Sequence, residues 1–157
     1  IFYNKGSQLL QKNIIEENDL FVSPIDINDS NIPNGNSVYL NLCNKLYTIT
    51  NDKFWKEKIE VLQKSFHQVL NSFYSQMFSF VKTLDLCEDN ISFTFFGNQD
   101  SIKNIKNELQ KNYLGRATFV YKNLDEAEGK IVVCKNQTCS EKLKNLEEIN
   151  VYIESKL

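Results

Sequence analysis

Ile91-Ser92-Phe93-Thr94-Phe95-Phe96 is the stretch at which the chain changes character. Before it, apolar residues recur every three or four positions. Within it, aromatic and β-branched residues crowd together and stop at Gly97, which reads as a strand followed by a turn. Beyond it, Asp100 or Ser101 can cap a helix that carries Ile102, Ile105, Leu109 and Tyr113 on one face, and Gly115 closes that helix before a strand over 117–121. Strand, helix and strand make one βαβ unit. Gly129 precedes another strand over 130–134, and after a polar loop a helix over 145–155 places Leu146, Ile149 and Ile153 on one stripe. Residues 90–157 are therefore expected to form a small βαββα unit.

Upstream, the spacing predicts helices. Trp55, Ile59, Leu62, Phe66, Val69 and Phe73 step by four or three residues and give the clearest amphipathic stripe in the chain. Before it, Pro33-Asn34-Gly35 is a turn signal, Asn36 or Ser37 can cap the following helix, and Val38, Leu42, Leu46 and Ile49 recur at helical spacing over 38–49, with Tyr39, Cys43 and Tyr47 widening the buried face. Asn51 and Asp52 interrupt it. A third helix is expected over 75–86, carrying Met77, Phe78, Val81 and Leu84, its aromatic content suggesting cover on more than one side. Ahead of these, residues 1–3 and 8–10 flank Asn4-Lys5-Gly6-Ser7 as a short hairpin, and 13–30 read as a polar surface connection anchored at Phe21 and Ile25. The expected division is 1–36, hairpin and connection; 37–89, helices; 90–157, α/β unit. The fold class is mixed α and β.

Composition sets the outer bounds. The 157 residues are 41% hydrophobic and 24% charged, a globular balance, and the longest apolar run, near 91–96, is far too short to span a membrane. Eighteen basic against twenty acidic side chains leave a net charge of −2, without the electrostatic footprint that duplex nucleic acid or an anionic membrane requires. Asparagine, lysine and isoleucine abound while Ala117 and Ala127 are the only alanines and Arg116 the only arginine, a pattern of coding bias that strips Asn and Lys of functional weight. Met77 is the only methionine, so the chain is expected to come from something longer. Residues 1–10 lack the basic-then-apolar pattern of a signal peptide, and a cytoplasmic location is expected.

Few residues can carry chemistry. Cys134 and Cys139 are separated by four residues, a spacing that permits a zinc hook, a reversible disulfide, or two small and partly buried thiols. No second Cys/His pair lies nearby, since Cys43 and Cys87 fall on helices and the sole histidine is His67, so no metal is expected. His67 lies off the Trp55-to-Phe66 stripe, beside Gln63 and Asn71, and reads as solvated rather than as a general base. Asp26, Asp29 and Asp85 have no spacing that sets up an acid and base pair, and Gly97-Asn98-Gln99-Asp100 lacks the further glycines of a dinucleotide site. No catalytic residue and no cofactor is expected.

Two segments together resemble a known family. Pro24-Ile25-Asp26-Ile27-Asn28-Asp29 leads into Ile32-Pro33-Asn34-Gly35-Asn36-Ser37-Val38, and Val132-Val133-Cys134-Lys135-Asn136-Gln137-Thr138-Cys139 leads into Leu146-Glu147-Glu148-Ile149. They are similar to the C-terminal part of the thioredoxin-domain-containing proteins that include the spermatogenesis-associated members and their bacterial relatives. In that family a Pro-Ser-Gly-Asn-Ser segment opens a toroid helix, and a Cys-x-Asn-x-x-Cys segment precedes a Glu-Glu-Leu-like helix. Met77 to Asp85 and Phe96-Gly97 match in order too, so the resemblance runs from about Phe21 onward. Asn34 stands where the family usually has Ser, and Glu141, Lys142 and Leu146 where it often has prolines.

The resemblance implies a longer protein that begins with a thioredoxin-like domain and continues into an (α/α) toroid similar to N-acylglucosamine epimerases and six-hairpin glycosidases. This chain would hold the last helices of that toroid and the terminal α/β appendage, with the upstream portions as its partners and no turnover of its own. Asp29, Asn34, Asn36 and Ser37 are then the candidates for facing the toroid cavity, against the plainer reading that they serve turns and helix caps. Cys134 and Cys139 would be candidates for exchange with the thioredoxin-like domain. A free-standing chain would instead be an interaction module, its open helical faces covered by a partner or in a homodimer.

Overall fold

The computed structural model describes residues 2–12, 24–97, 99–113, 115–122, 129–136 and 138–155, and at 68 and 99–101 the backbone alone. Phe21, read as an anchor of the connection, lies outside these residues, as does Gln137 between the two cysteines. The fold is mixed: five α-helices, one 3₁₀ turn and a four-stranded sheet among the described residues. It divides into two units, Ile1–Cys87 and Glu88–Leu157.

The first unit is helical. Helix α1 spans Gly35–Thr50, α2 Lys53–Phe73 and α3 Phe78–Glu88, with the 3₁₀ turn Tyr74–Gln76 before α3. Two caps make the sharp corner between α1 and α2. Asn51 ends α1 in the left-handed region (φ 53°) and donates its N–H to the Tyr47 carbonyl, while the Asp52 side chain accepts from the Phe54 N–H. The α2 stripe packs as its spacing demands, with Ile59, Leu62 and Phe66 buried against Leu40, Cys43, Met77 and Phe80; only its last member, Phe73, stands exposed.

Three expectations in this unit need correction. The cap of α1 is Asn34, not Asn36 or Ser37: Pro33 precedes an extended Asn34 (φ −69°, ψ 154°) whose side chain accepts from the Ser37 N–H, so the helix starts three residues earlier than expected. Its buried face is shifted, keeping the expected Tyr39, Cys43 and Tyr47 but not the Val38, Leu42 and Ile49 stripe. Leu40, Cys43 and Asn44 point inward with Tyr39 and Tyr47 beside them, whereas Val38, Leu42 and Ile49 are 55%, 50% and 51% exposed. The third helix starts at Phe78 rather than 75, because residues 74–76 close into a tighter turn and the Met77 N–H bonds the Tyr74 carbonyl. Phe80 and Thr83 face inward there, and Phe78 and Val81 outward.

In the second unit, β1 (Ile91–Phe96) is the hinge of the sheet. It pairs in parallel with β2 (Ala117–Lys122) on one side and antiparallel with β3 (Lys130–Lys135) on the other. Between β1 and β2 runs α4 (Gln99–Tyr113), and the chain ends on α5 (Leu146–Glu154), capped by Asn145. Ile91, Phe93 and Phe95 of β1 and Ile131 and Val133 of β3 form one core with Ile102 and Leu109 of α4 and Ile149 and Ile153 of α5, so both helices cover the same face. Cross-strand pairing stacks Phe93 on Phe119 at 5.5 Å and Phe95 on Tyr121 at 5.2 Å.

The unit departs from the expected βαββα order by one short strand, β4 (Thr138–Cys139), which pairs antiparallel with β3 and completes the order β2-β1-β3-β4. Two residues carry no periodicity that could announce a strand. Asp100 and Ser101 do not cap α4, since the helix already includes them.

Candidate functional site

Asp29, Asn34, Asn36 and Ser37 do come together, around the start of α1. The Asn34 side chain accepts from Ser37 N–H at 2.9 Å and, through Nδ2, donates to Ile27 O and Asp29 Oδ1, both at 3.0 Å. Asp29 Oδ1 also accepts the Asn34 backbone N–H at 2.9 Å, and its Oδ2 accepts the Ser79 N–H at 2.6 Å. One carboxylate therefore serves the turn before α1 and the first turn of α3, where an anion is favoured by the free N–H groups and the helix dipole. Burial opposes ionisation of Asp29, yet the hydrogen bonds from Ser79 and Asn34 outweigh it and hold the carboxyl below its ordinary 3.8.

Asn36, 1% exposed, faces the other way. Its Oδ1 accepts Leu10 N–H at 2.9 Å and its Nδ2 donates to Leu10 O and Asp26 O, both at 3.1 Å. The side-chain amide thus pairs with the Leu10 backbone as a neighbouring strand would, tying the amino-terminal hairpin to α1. That hairpin closes through the Tyr3–Leu10 bridge and the Asn4 carboxamide, which accepts from Gly6 and Ser7 N–H. Ser37 Oγ is buried without a hydrogen-bond partner among the described residues. Three of the four side chains thus spend their polar atoms on backbone groups. Their partners Leu10 and Asp26 carry no sequence signal, because what they contribute is backbone.

The second candidate pair is joined. Cys134 and Cys139 face each other across β3 and β4, with Cα atoms 4.0 Å apart and a disulfide between them. Cys134 is half-buried and Cys139, on the edge strand, is exposed. The turn is held by more than the disulfide: Ser140 N–H bonds Val133 O at 2.8 Å, Val133 N–H bonds Ser140 Oγ at 3.0 Å, and Tyr152 of α5 donates its hydroxyl to Thr138 O at 3.0 Å. Asn136, with φ at 48°, makes the reversal; its N–H donates to Asn90 O and its Oδ1 accepts the Asn90 N–H.

The remaining thiols are unlike this pair. Cys43 is fully buried, and burial pushes its thiol up; burial, then the Cys43 sulfur four residues on, pushes the Tyr39 phenol up to about 12. Neither ionises near neutral pH. His67 is exposed on α2. No group of three His, Cys, Asp or Glu side chains is placed to hold a metal among the described residues, and no helix among them is long and apolar enough to cross a membrane. An open depression along α4 is lined by Asn104, Asn107, Glu108, Gln110 and Lys111, all polar, with Glu108 and Lys111 paired at 2.6 Å.

No protein-family model matches the chain, and no curated protein matches it.

Two outcomes follow for the α1 cluster. The stability that Asp29 contributes is fully present above about pH 4, the ordinary range of its carboxyl, and is lost as pH falls through the lowered native value. Acid titration of unfolding should therefore show a loss on that limb that Asp29→Asn removes; an unchanged limb in the variant refutes the assignment. Asn36→Ala, which leaves partly buried backbone groups at Leu10 and Asp26 without this partner, should lower the unfolding free energy by about 1–3 kcal/mol in denaturant melts.

Proposed function

We propose that this chain is the C-terminal portion of a larger thioredoxin-domain and (α/α)-toroid protein, supplying the toroid's last helices and an α/β appendage and carrying no reaction of its own. The observation that carries the reading is α1. It presents two apolar faces, and the outward one, Val38, Leu42 and Ile49, is half-exposed in the chain alone. An apolar stripe along a helix calls for cover, and further helices of a toroid would provide it. The order of elements, helices followed by a sheet unit, agrees with the family resemblance, as do Pro33-Asn34-Gly35-Asn36-Ser37 at a helix start and the cysteine pair just before the last helix. A carbohydrate-related activity would then belong to the complete protein, and a cytoplasmic location follows from the same reading.

The test is the size of the intact protein in its native cells, detected with an antibody against residues 132–148. A band several times the 18.3 kDa of this chain is expected. A band near 18 kDa would sink the reading and favour a dimeric or partner-binding module instead.

A second reading has its own support in the Cys134–Cys139 disulfide, exposed at Cys139, namely that the pair exchanges with a thioredoxin-like partner. Replacing both cysteines by serine should then change the redox behaviour of the complete protein. Unchanged behaviour removes this reading and leaves the first intact.

A further inference from the structure

Resting on the thiol-exchange reading, we infer that a protein dithiol enters the Cys134–Cys139 disulfide at Cys139 Sγ and that Cys134 leaves as the thiolate. The two sulfurs are not equivalent. Cys139 sits on the two-residue edge strand β4, exposed and last in the sheet order, whereas Cys134 is half-buried on β3, with the buried Ser92 of β1 as its neighbour on the other side. Attack at a disulfide requires approach to the sulfur from the side away from its leaving partner. The open edge offers that approach to Cys139.

The same geometry selects a dithiol over a monothiol. When the bond opens, Cys134 does not drift away: the Lys135–Thr138 pairing, the two Ser140–Val133 bonds and the Tyr152 hydroxyl on Thr138 O still hold β4 against β3. The released Cys134 thiolate therefore remains beside the mixed disulfide on Cys139 and returns to it, expelling a monothiol. A partner with its own second thiol escapes this reversal. One partner thiolate attacks Cys139 Sγ, a new S–S bond forms as the old one breaks, and the electron pair leaves on Cys134 Sγ. The partner's second thiolate then attacks the partner sulfur of the mixed disulfide, releasing Cys139. The two protons given up by the partner thiols pass to the two cysteines, so the disulfide is reduced, the dithiol oxidised, and nothing else is consumed. Cys43 cannot substitute from within, being fully buried with its thiol pushed up.

The experiment uses the whole chain, folded and oxidised, with a large excess of a thioredoxin whose second active-site cysteine is replaced by serine, so that the mixed disulfide is sampled at early times before Cys134 expels this monothiol, and dithiothreitol in a parallel sample. Peptide mapping after acid quench should place the cross-link on Cys139 several-fold in excess of Cys134. A cross-link chiefly on Cys134 overturns the direction inferred here but leaves the exchange reading standing, whereas no cross-link at all while dithiothreitol opens the bond overturns the thioredoxin-like partner and the exchange reading with it. A disulfide that dithiothreitol opens only after denaturant is added overturns both.

Discussion

The Asp29 carboxylate sets the geometry of the helical unit. Each of its oxygens serves a different helix start: Oδ1 takes two N–H groups of Asn34, which in turn caps α1, and Oδ2 takes the Ser79 N–H in the first turn of α3. The Asp29 N–H adds a bond to Gln76 O in the turn before α3. A helix start left uncapped and removed from water is costly, and here one side chain relieves two of them. Because hydrogen bonds to a carboxylate are roughly twice as strong as neutral ones, ionised Asp29 fixes the positions of α1 and α3 more firmly than a neutral amide at that position would.

Around that fixed point the apolar core does the rest. With the starts of α1 and α3 held together, Leu40 and Cys43 meet Met77 and Phe80, and α2 closes over them with Ile59, Leu62 and Phe66. The Phe66 and Phe80 rings meet edge to face at 5.0 Å. Asn36 then extends the arrangement to the amino terminus, since its amide occupies both backbone groups of Leu10 and so brings Leu9 into the same core. The second unit has a different logic: β1 is paired on both sides, so a single strand determines the register of β2 and β3 together.

How far the sequence could be read depended on whether the deciding partner was local. The α2 stripe and the βαβ crossover were legible because each rests on periodicity within one segment or on a turn residue beside it. The inward face of α1 was not, because that helix carries two apolar stripes: periodicity finds both Val38-Leu42-Ile49 and Leu40-Cys43-Tyr47, and only tertiary packing chooses. The cap was misplaced for a related reason. Asn34, Asn36 and Ser37 are all good cap residues, and Asn36 is withdrawn from that contest by Leu10, twenty-six positions away. The four candidate residues lie together at the start of α1, but the Asp29–Ser79 bond, across fifty positions, has no trace in the sequence.

Cys134 and Cys139 show the opposite case, in which spacing allowed several chemistries and the strand pairing selected one. Four intervening residues are compatible with a metal hook, free thiols or a bridge. Once Asn136 turns the chain and Lys135 pairs with Thr138, the two cysteines are obliged to face each other on adjacent strands, where they are joined by a disulfide. The hydrogen bonds that impose this pairing come from Ser140, Asn90 and Tyr152 and do not involve sulfur. The turn is thus held by hydrogen bonds in addition to the disulfide it contains.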